Sequence, residues 1–297
     1  MYILYAFLSS IMFALLNLFS KIVIKYKAKN PVSISLIKNV VRLTLLASYV
    51  FIFGHGINIP GRNELIVFLL YGLFFVVGDI FYFKGMEKVD VSVSSPLFSM
   101  RTVFSVVLVY ILGIETYSLL EYVLIFLLLP LAILISMKKD FKLKNFLNPG
   151  IAYLMVEYFS LAVISILTNR GQLRMDFVDF SFWSILVVVI LNLSFLPWVF
   201  GDIKKIVGRP KKLLLPISIL GIVSLAGSVL QVVALAGNVA VVTAIISLPL
   251  SLVLATVITI FKPGYIENNP WWVYLLRFVA AGCSLIIVLA VGLGWLR

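Results

Sequence analysis

Apolar runs of about twenty residues follow one another along almost the whole chain, broken only by short polar stretches. Wound as a helix, such a run matches the roughly 30 Å hydrocarbon layer of a bilayer. Backbone polar groups cannot go unpaired there, so each run is expected to be helical. Ten spans are predicted, at 2–24, 31–54, 64–84, 91–113, 118–137, 149–168, 177–200, 213–236, 239–261 and 271–295. Composition agrees: 63% of the 297 residues are hydrophobic and 12% charged, with mean hydropathy +1.16, against about 45–50% apolar and 25% charged in soluble domains. The fold class is all-α, a polytopic membrane protein.

The net charge of +12 reads as membrane orientation and contact with anionic head groups, because no soluble basic region exists that could bind nucleic acid. Outside the spans, fifteen basic residues fall on one side and four on the other, the four being Arg62, Arg170, Arg174 and Arg297. The positive-inside rule then makes the loops after spans 1, 3, 5, 7 and 9 cytoplasmic and turns both termini outward. The polar stretch 201–212, "GDIKKIVGRPKK", reads as a basic loop. The single cysteine, Cys283, excludes an internal disulfide and a cysteine-based zinc site, and reads as a small core residue. "MYILYAFLSS" lacks a basic n-region and a cleavage site, so it reads as the first span.

Shifting the chain by about 150 residues lays the first five spans on the last five. Lys21 falls on Arg170 and Gly78 on Gly227, Ser99 on Pro249, and Glu115, Leu119 and Pro130 on Glu267, Trp271 and Gly282. An odd number of spans per half sets duplicated halves in opposite senses, the inverted repeat of secondary transporters. The expected halves are 1–145 and 146–297.

An ionisable group at mid-membrane costs about 2.5–3.5 kcal/mol on insertion scales, so each is a functional candidate or one of a buried pair. Glu157 lies nearest a span centre and suits proton coupling; a structural pair with an arginine is the other reading. Asn17 sits one helical turn before Lys21, so the two face one side and together suit an anionic group, unless Lys21 snorkels to the head groups. Lys38 and Arg42, four apart, share a face that should look inward. Asp79 is the expected counter-charge for one of them or for Lys84. Arg101 has no acidic neighbour in sequence and suits a carboxylate or phosphate, or a pair with Asp79 or Glu157. Arg277 is the remaining charge within a span. Tyr82, Tyr158 and Trp183 are aromatic candidates for the pathway, and Gln231 is a polar one; belt positions or interhelical bonding explain them equally. Trp271, Trp272 and Trp295 near span ends read as belt residues. Small residues such as Gly72, Gly78, Gly221 and Gly227 permit close helix contact.

The order of "FALLNLFSK", "NPVSISLIKNVVRL" and "ILGIETYSLLEYVLIF", the last carrying Gly-x-Glu, resembles the drug/metabolite transporter superfamily and its ten-span EamA-like members. That resemblance implies two five-helix halves around a central cavity that opens to alternate sides, with cytoplasmic termini. The second half departs from the pattern with "FKPGYIENNPWW". Small multidrug relatives use a first-span glutamate where this chain has Phe13.

A rhomboid-like protease needs a Ser and His pair, yet the only histidine, His55, lies at a span end. An aspartyl protease needs two mid-membrane aspartates, and Asp79 stands alone. No filter loop suggests a channel. In the spans, basic candidates outnumber acidic ones five to two. The expected function is an alternating-access carrier of small polar metabolites at the cell membrane, amino acids or similar anionic or zwitterionic solutes, working as exporter or exchanger. A proton-coupled antiporter of cationic drugs is the alternative, and an intramembrane enzyme a distant third. No cofactor, metal or nucleic acid is implied. The partners are a small-molecule substrate and the lipid bilayer, with monomer and homodimer both open.

Overall fold

Several charged side chains are buried inside this molecule while many large apolar ones are exposed. Arg101 and Arg277 are 0% exposed and Lys38 2%, whereas Phe51 is 89% and Phe261 80% exposed. That inverts a soluble protein and is what a hydrocarbon solvent demands of a multi-pass membrane protein. The computed structural model describes residues 1–26, 30–114, 118–136, 148–172, 175–237, 239–262 and 269–292, all helix and connections with no strand among them. Glu115 and Glu267, one expected repeat pair, lie outside the described residues, as do Arg174, Trp295 and Arg297.

The helices are α1 (Tyr2–Tyr26), α2 (Pro31–Ile52), α3 (Arg62–Lys88), α4 (Val91–Leu97), α5 (Met100–Ile111), α6 (Leu119–Ser136), α7 (Pro149–Gln172), α8 (Phe177–Leu193), α9 (Leu196–Val207), α10 (Leu215–Ala234), α11 (Val239–Ile246), α12 (Leu250–Phe261) and α13 (Trp271–Gly292); a π-helical turn, Pro210–Leu214, leads into α10. Local chemistry sets several starts. The Asn30 side chain accepts from Val32 N at 3.1 Å and Ser33 N at 3.5 Å, ahead of Pro31 in the first turn, and Asp176 accepts from Val178 N at 3.0 Å. Both supply acceptors for N–H groups that a helix leaves unpaired.

Six helical segments are long and apolar enough to cross a membrane by length and composition, and a seventh if α8 and α9 count as one; α12 and Trp271–Ile287 of α13 are shorter apolar helices. The described residues therefore give six or seven such segments against the ten predicted. Three predicted spans also differ in shape. Span 4 breaks between α4 and α5 at residues 98–99, past Pro96, and span 9 breaks between α11 and α12 at Pro249, which has no N–H to continue a regular helix. The two breaks touch: Leu252 N–H is shared between Pro249 O at 3.0 Å and Ser95 Oγ at 3.1 Å, and Thr102 Oγ1 lies 3.3 Å from Ser247 Oγ. Span 7 ends at Leu193, and the chain turns through 98° into α9. Cys283, expected in the core, is exposed.

Helix contacts come in matched sets. α1 lies along α10 and α3 along α7; α2 meets α10 and α3 meets α8; α4 meets α12 and α5 meets α11. Close approaches at corresponding places use glycines 149 residues apart. A Cβ on Gly78 would sit 2.9 Å from Ser160 Cβ on α7, and one on Gly227 3.1 Å from Met12 Cβ on α1. Gly72 would meet Val187 Cγ1 at 2.7 Å on α8, and Gly221 the Lys38 carbonyl oxygen at 2.9 Å on α2.

An offset of 148 to 149 residues relates two helix ends. Lys21 Nζ donates to Met86 O at 2.7 Å and Val89 O at 2.8 Å, past the last turn of α3. Asn169 Nδ2 donates to Leu235 O at 2.8 Å and Gly237 O at 3.4 Å, past the last turn of α10. Both satisfy carbonyls that a helix C-terminus leaves open. Asn169 is thus the working counterpart of Lys21, and Arg170, matched to it by sequence, is exposed.

Gly221→Ala drives a methyl into backbone and is expected to lower stability by about 1–3 kcal/mol, while Gly282→Ala, with open space around it, stays within about 0.5 kcal/mol. Lys21→Met, losing charged bonds to two carbonyls, costs roughly 1.5–3 kcal/mol for each bond. Thermal unfolding of the purified protein in one detergent ranks all three.

Candidate functional site

A central cavity is walled by α1, α2, α3, α5, α7 and α10, with Phe98 at the α4–α5 break; the empty space between these walls, counting its mouth, is about 790 Å³. Each wall contributes along one helical stripe: Phe13, Leu16 and Asn17 from α1, Lys38 and Arg42 from α2, Phe75, Asp79 and Tyr82 from α3, Glu157, Leu161, Ile164 and Thr168 from α7, and Ser224, Ser228 and Gln231 from α10. The three-to-four-residue spacing turns these side chains to one face.

The charges within fall into two groups. On one side they are paired: Lys38 makes an ion pair with Asp79 Oδ1, and Ser35 Oγ donates to Asp79 Oδ2. Arg42 donates through Nη1 to Asn39 Oδ1 and through Nη2 to Ser228 Oγ, both at 2.9 Å, its guanidinium lies 4.8 Å from the Phe75 ring centroid, and its Nε has no hydrogen-bond partner among the described residues. This cluster ties α2 to α3 and to α10, with cation–π contacts adding to the hydrogen bonds.

On the other side they are not. Arg101 Nη2 donates to Ser165 Oγ at 2.6 Å and its guanidinium lies 5.6 Å from the Phe98 ring, but Nε and Nη1 have no hydrogen-bond partner among the described residues. Glu157 Oε2 likewise has none, and no ion pair within 4.0 Å joins it to Arg101. Fully buried ionic groups left with open donors and acceptors are costly unless something in the cavity meets them.

Of the residues put forward from sequence, Asn17, Lys38, Arg42, Asp79, Tyr82, Arg101, Glu157 and Gln231 line this one cavity. Asn17 accepts from Tyr82 OH at 2.8 Å and donates to Ser251 Oγ at 3.3 Å, linking α1, α3 and α12. Three do not line it. Lys21 is turned away from Asn17 by its α3 carbonyls. Tyr158 donates to Ser94 O at 2.9 Å and holds α7 to α4. Trp183 donates to Asn58 O at 2.8 Å, which anchors the loop before α3. Arg277 is hydrogen-bonded to Ser92 and also lies outside the cavity. Sequence reasoning missed Tyr71, Phe75, Phe98 and Ser228, uncharged side chains on positions that only helix facing reveals, and Ser165, which touches Arg101 across 64 residues of chain. Among the described residues no group of three or more His, Cys, Asp and Glu is placed to hold a metal. His55 is at the rim near Asp176, at 3.6 Å.

Removing one member of the buried Lys38–Asp79 pair leaves the other uncompensated, so Asp79→Asn is expected to lower stability by about 3–5 kcal/mol, with most of it recovered in Lys38→Met combined with Asp79→Asn. A double-mutant thermal-unfolding cycle measures this, and additive losses would show that the pair is not coupled.

A solved crystal structure superposes on 100% of this chain and 99% of its own, with a TM-score of 0.66 and 14% sequence identity, which fixes the fold alone. No curated protein matches the chain by sequence. The model of the EamA-like transporter family matches residues 1–137, the stretch that supplies the cavity's Asn17, Lys38, Arg42, Asp79 and Arg101. Over residues 1–137, a little under half of its length, the chain is similar to the EamA-like transporter family.

Proposed function

We propose that the protein is a secondary transporter that carries small polar organic metabolites across the cell membrane by alternating access, as exporter or exchanger, with amino acids and similar anionic or zwitterionic solutes as the cargo class. The observation that carries this reading is the pairing state of the cavity charges. Lys38 and Asp79 are paired with each other and Arg42 leaves one nitrogen, Nε, without a partner, whereas in the same cavity lining Arg101 leaves two nitrogens and Glu157 one oxygen without a hydrogen bond among the described residues. A solute carrying a carboxylate meets Arg101, and its ammonium, or a proton, meets Glu157.

The matched contacts at an offset of 149 support two inverted halves, 1–145 and 146–297, with the cavity between them. The broken spans, α4 with α5 and α11 with α12, cross beside the cavity, where hydrogen bonds join them as well as packing. Such a crossing of four short helices is a suitable place for movement about the longer α1–α10 and α3–α7 pairs, which join the two halves. Glu157 then serves as the proton-coupling group.

Thermal unfolding of the purified protein against amino acids, phosphate esters and lipophilic cations tests the cargo class, since a ligand at about a hundred times its Kd adds about 2.7 kcal/mol. An anionic or zwitterionic solute is expected to raise the midpoint, and Arg101→Gln to abolish that rise. Stabilisation by lipophilic cations alone would overturn the reading in favour of a cationic-drug antiporter. For coupling, Glu157→Gln should remove the pH dependence of transport in proteoliposomes; an unchanged profile sinks that role.

A further inference from the structure

The stretch expected to be the end of span 7 and a basic loop is a separate helix. α9 leaves α8 at 98°, so with α8 crossing the bilayer α9 runs close to the membrane plane. Its twelve residues sort into three zones at helical spacing. Val199 and Ile206 are the buried underside, and α9 touches α2 and the π-helical turn. Lys204 and Lys205 lie on the opposite face, exposed. Exposed apolar side chains flank both edges, Phe200 and Val207 on one and Trp198 on the other.

The chain that follows continues the charge: Arg209, Lys211 and Lys212 are exposed, and Asp202 is the sole acid among residues 201–212. Asp202 is occupied elsewhere, accepting from Asn30 Nδ2 at 2.7 Å and lying 3.6 Å from Lys205, so it pins α9 to the α1–α2 connection and does little to neutralise the surface. A helix lying in the interface, basic above and aromatic at its edges, matches the boundary between acyl chains and head groups. Basic clusters at such a level attract anionic lipids.

We propose that α9 and the turn after it form an in-plane anchor that gathers anionic phospholipid head groups around Lys204, Lys205, Arg209, Lys211 and Lys212. The site is separate from the transport cavity and does not depend on what the cavity carries. Through Asn30 it sits at the start of α2, the helix that bears Lys38 and Arg42, so head-group binding reaches the cavity wall through one rigid element.

The test uses the full chain in nanodiscs of phosphatidylcholine mixed in equal parts with phosphatidylglycerol, with one lipid or the other brominated on its acyl chains. The fluorescence of Trp198 is obtained by subtracting a Trp198→Phe variant, which removes the other four tryptophans. Brominated phosphatidylglycerol is expected to quench Trp198 severalfold more than brominated phosphatidylcholine, with the preference shrinking as salt rises and vanishing in the K204Q/K205Q/K211Q/K212Q variant. Equal quenching by the two lipids, no quenching by either, or a preference that survives in the variant overturns the proposal. Should that variant fail to fold, the salt series on the wild-type chain decides alone, and a preference indifferent to salt overturns it.

Discussion

Hydrocarbon does not solvate ions, and the arrangement of this protein follows from where its charges can be put. The Lys38–Asp79 pair, wrapped by Ser35 and Asn39 and extended through Arg42 to Ser228, gathers α2, α3 and α10 around a polar interior. That gathering requires the helices to come close. Gly72 and Gly78 on α3, with Gly221 and Gly227 on α10, clear the space at the four crossings where a methyl group would collide with a neighbour. Charge pairing and small residues are two halves of one device: the pairs hold the bundle from inside, and the glycines let backbones approach near enough for those pairs to form.

Within that frame the cavity divides structural ions from available ones. Lys38 and Asp79 are committed to each other, whereas Arg42, Arg101 and Glu157 each retain a polar atom without a partner among the described residues. Ser165 holds one end of Arg101 and the Phe98 ring lies near its face, so the guanidinium is oriented while part of its donor set stays free. Phe98 belongs to the α4–α5 break, which meets the α11–α12 break through Ser95 and Thr102. A shift at the crossing of these broken helices would therefore move the ring beside the free arginine, a direct mechanical route between helix geometry and the site's chemistry.

How legible the site was depended on the reach of each interaction. Lys38 and Arg42 share a face because they are four residues apart, and an aspartate on the next span is their natural counter-charge; both follow from helical spacing and the cost of burying ions. Lys21 shows the limit. Its spacing from Asn17 suggested a shared ligand, yet the side chain is used on the last carbonyls of α3, a demand set by where α3 ends in space. Tyr158 and Trp183 were aromatic with a polar handle, and each spends that handle on a backbone carbonyl of another segment. The partner of Arg101, Ser165, is one of many serines in the chain, with nothing local to mark it.

The sequence by itself determined that the chain is helical and that it lives in a membrane, because hydrophobic length and backbone pairing act within one segment. It also determined which ions had to be turned inward. Only the tertiary structure decided which of those ions are paired and which are open, that spans 4 and 9 are broken where they cross, and that the end of span 7 turns through 98° to become α9. Those outcomes depend on contacts between residues far apart in the chain, where a difference of an ångström or two separates a satisfied hydrogen bond from a free one, and no periodicity in a single strand of letters encodes that distance.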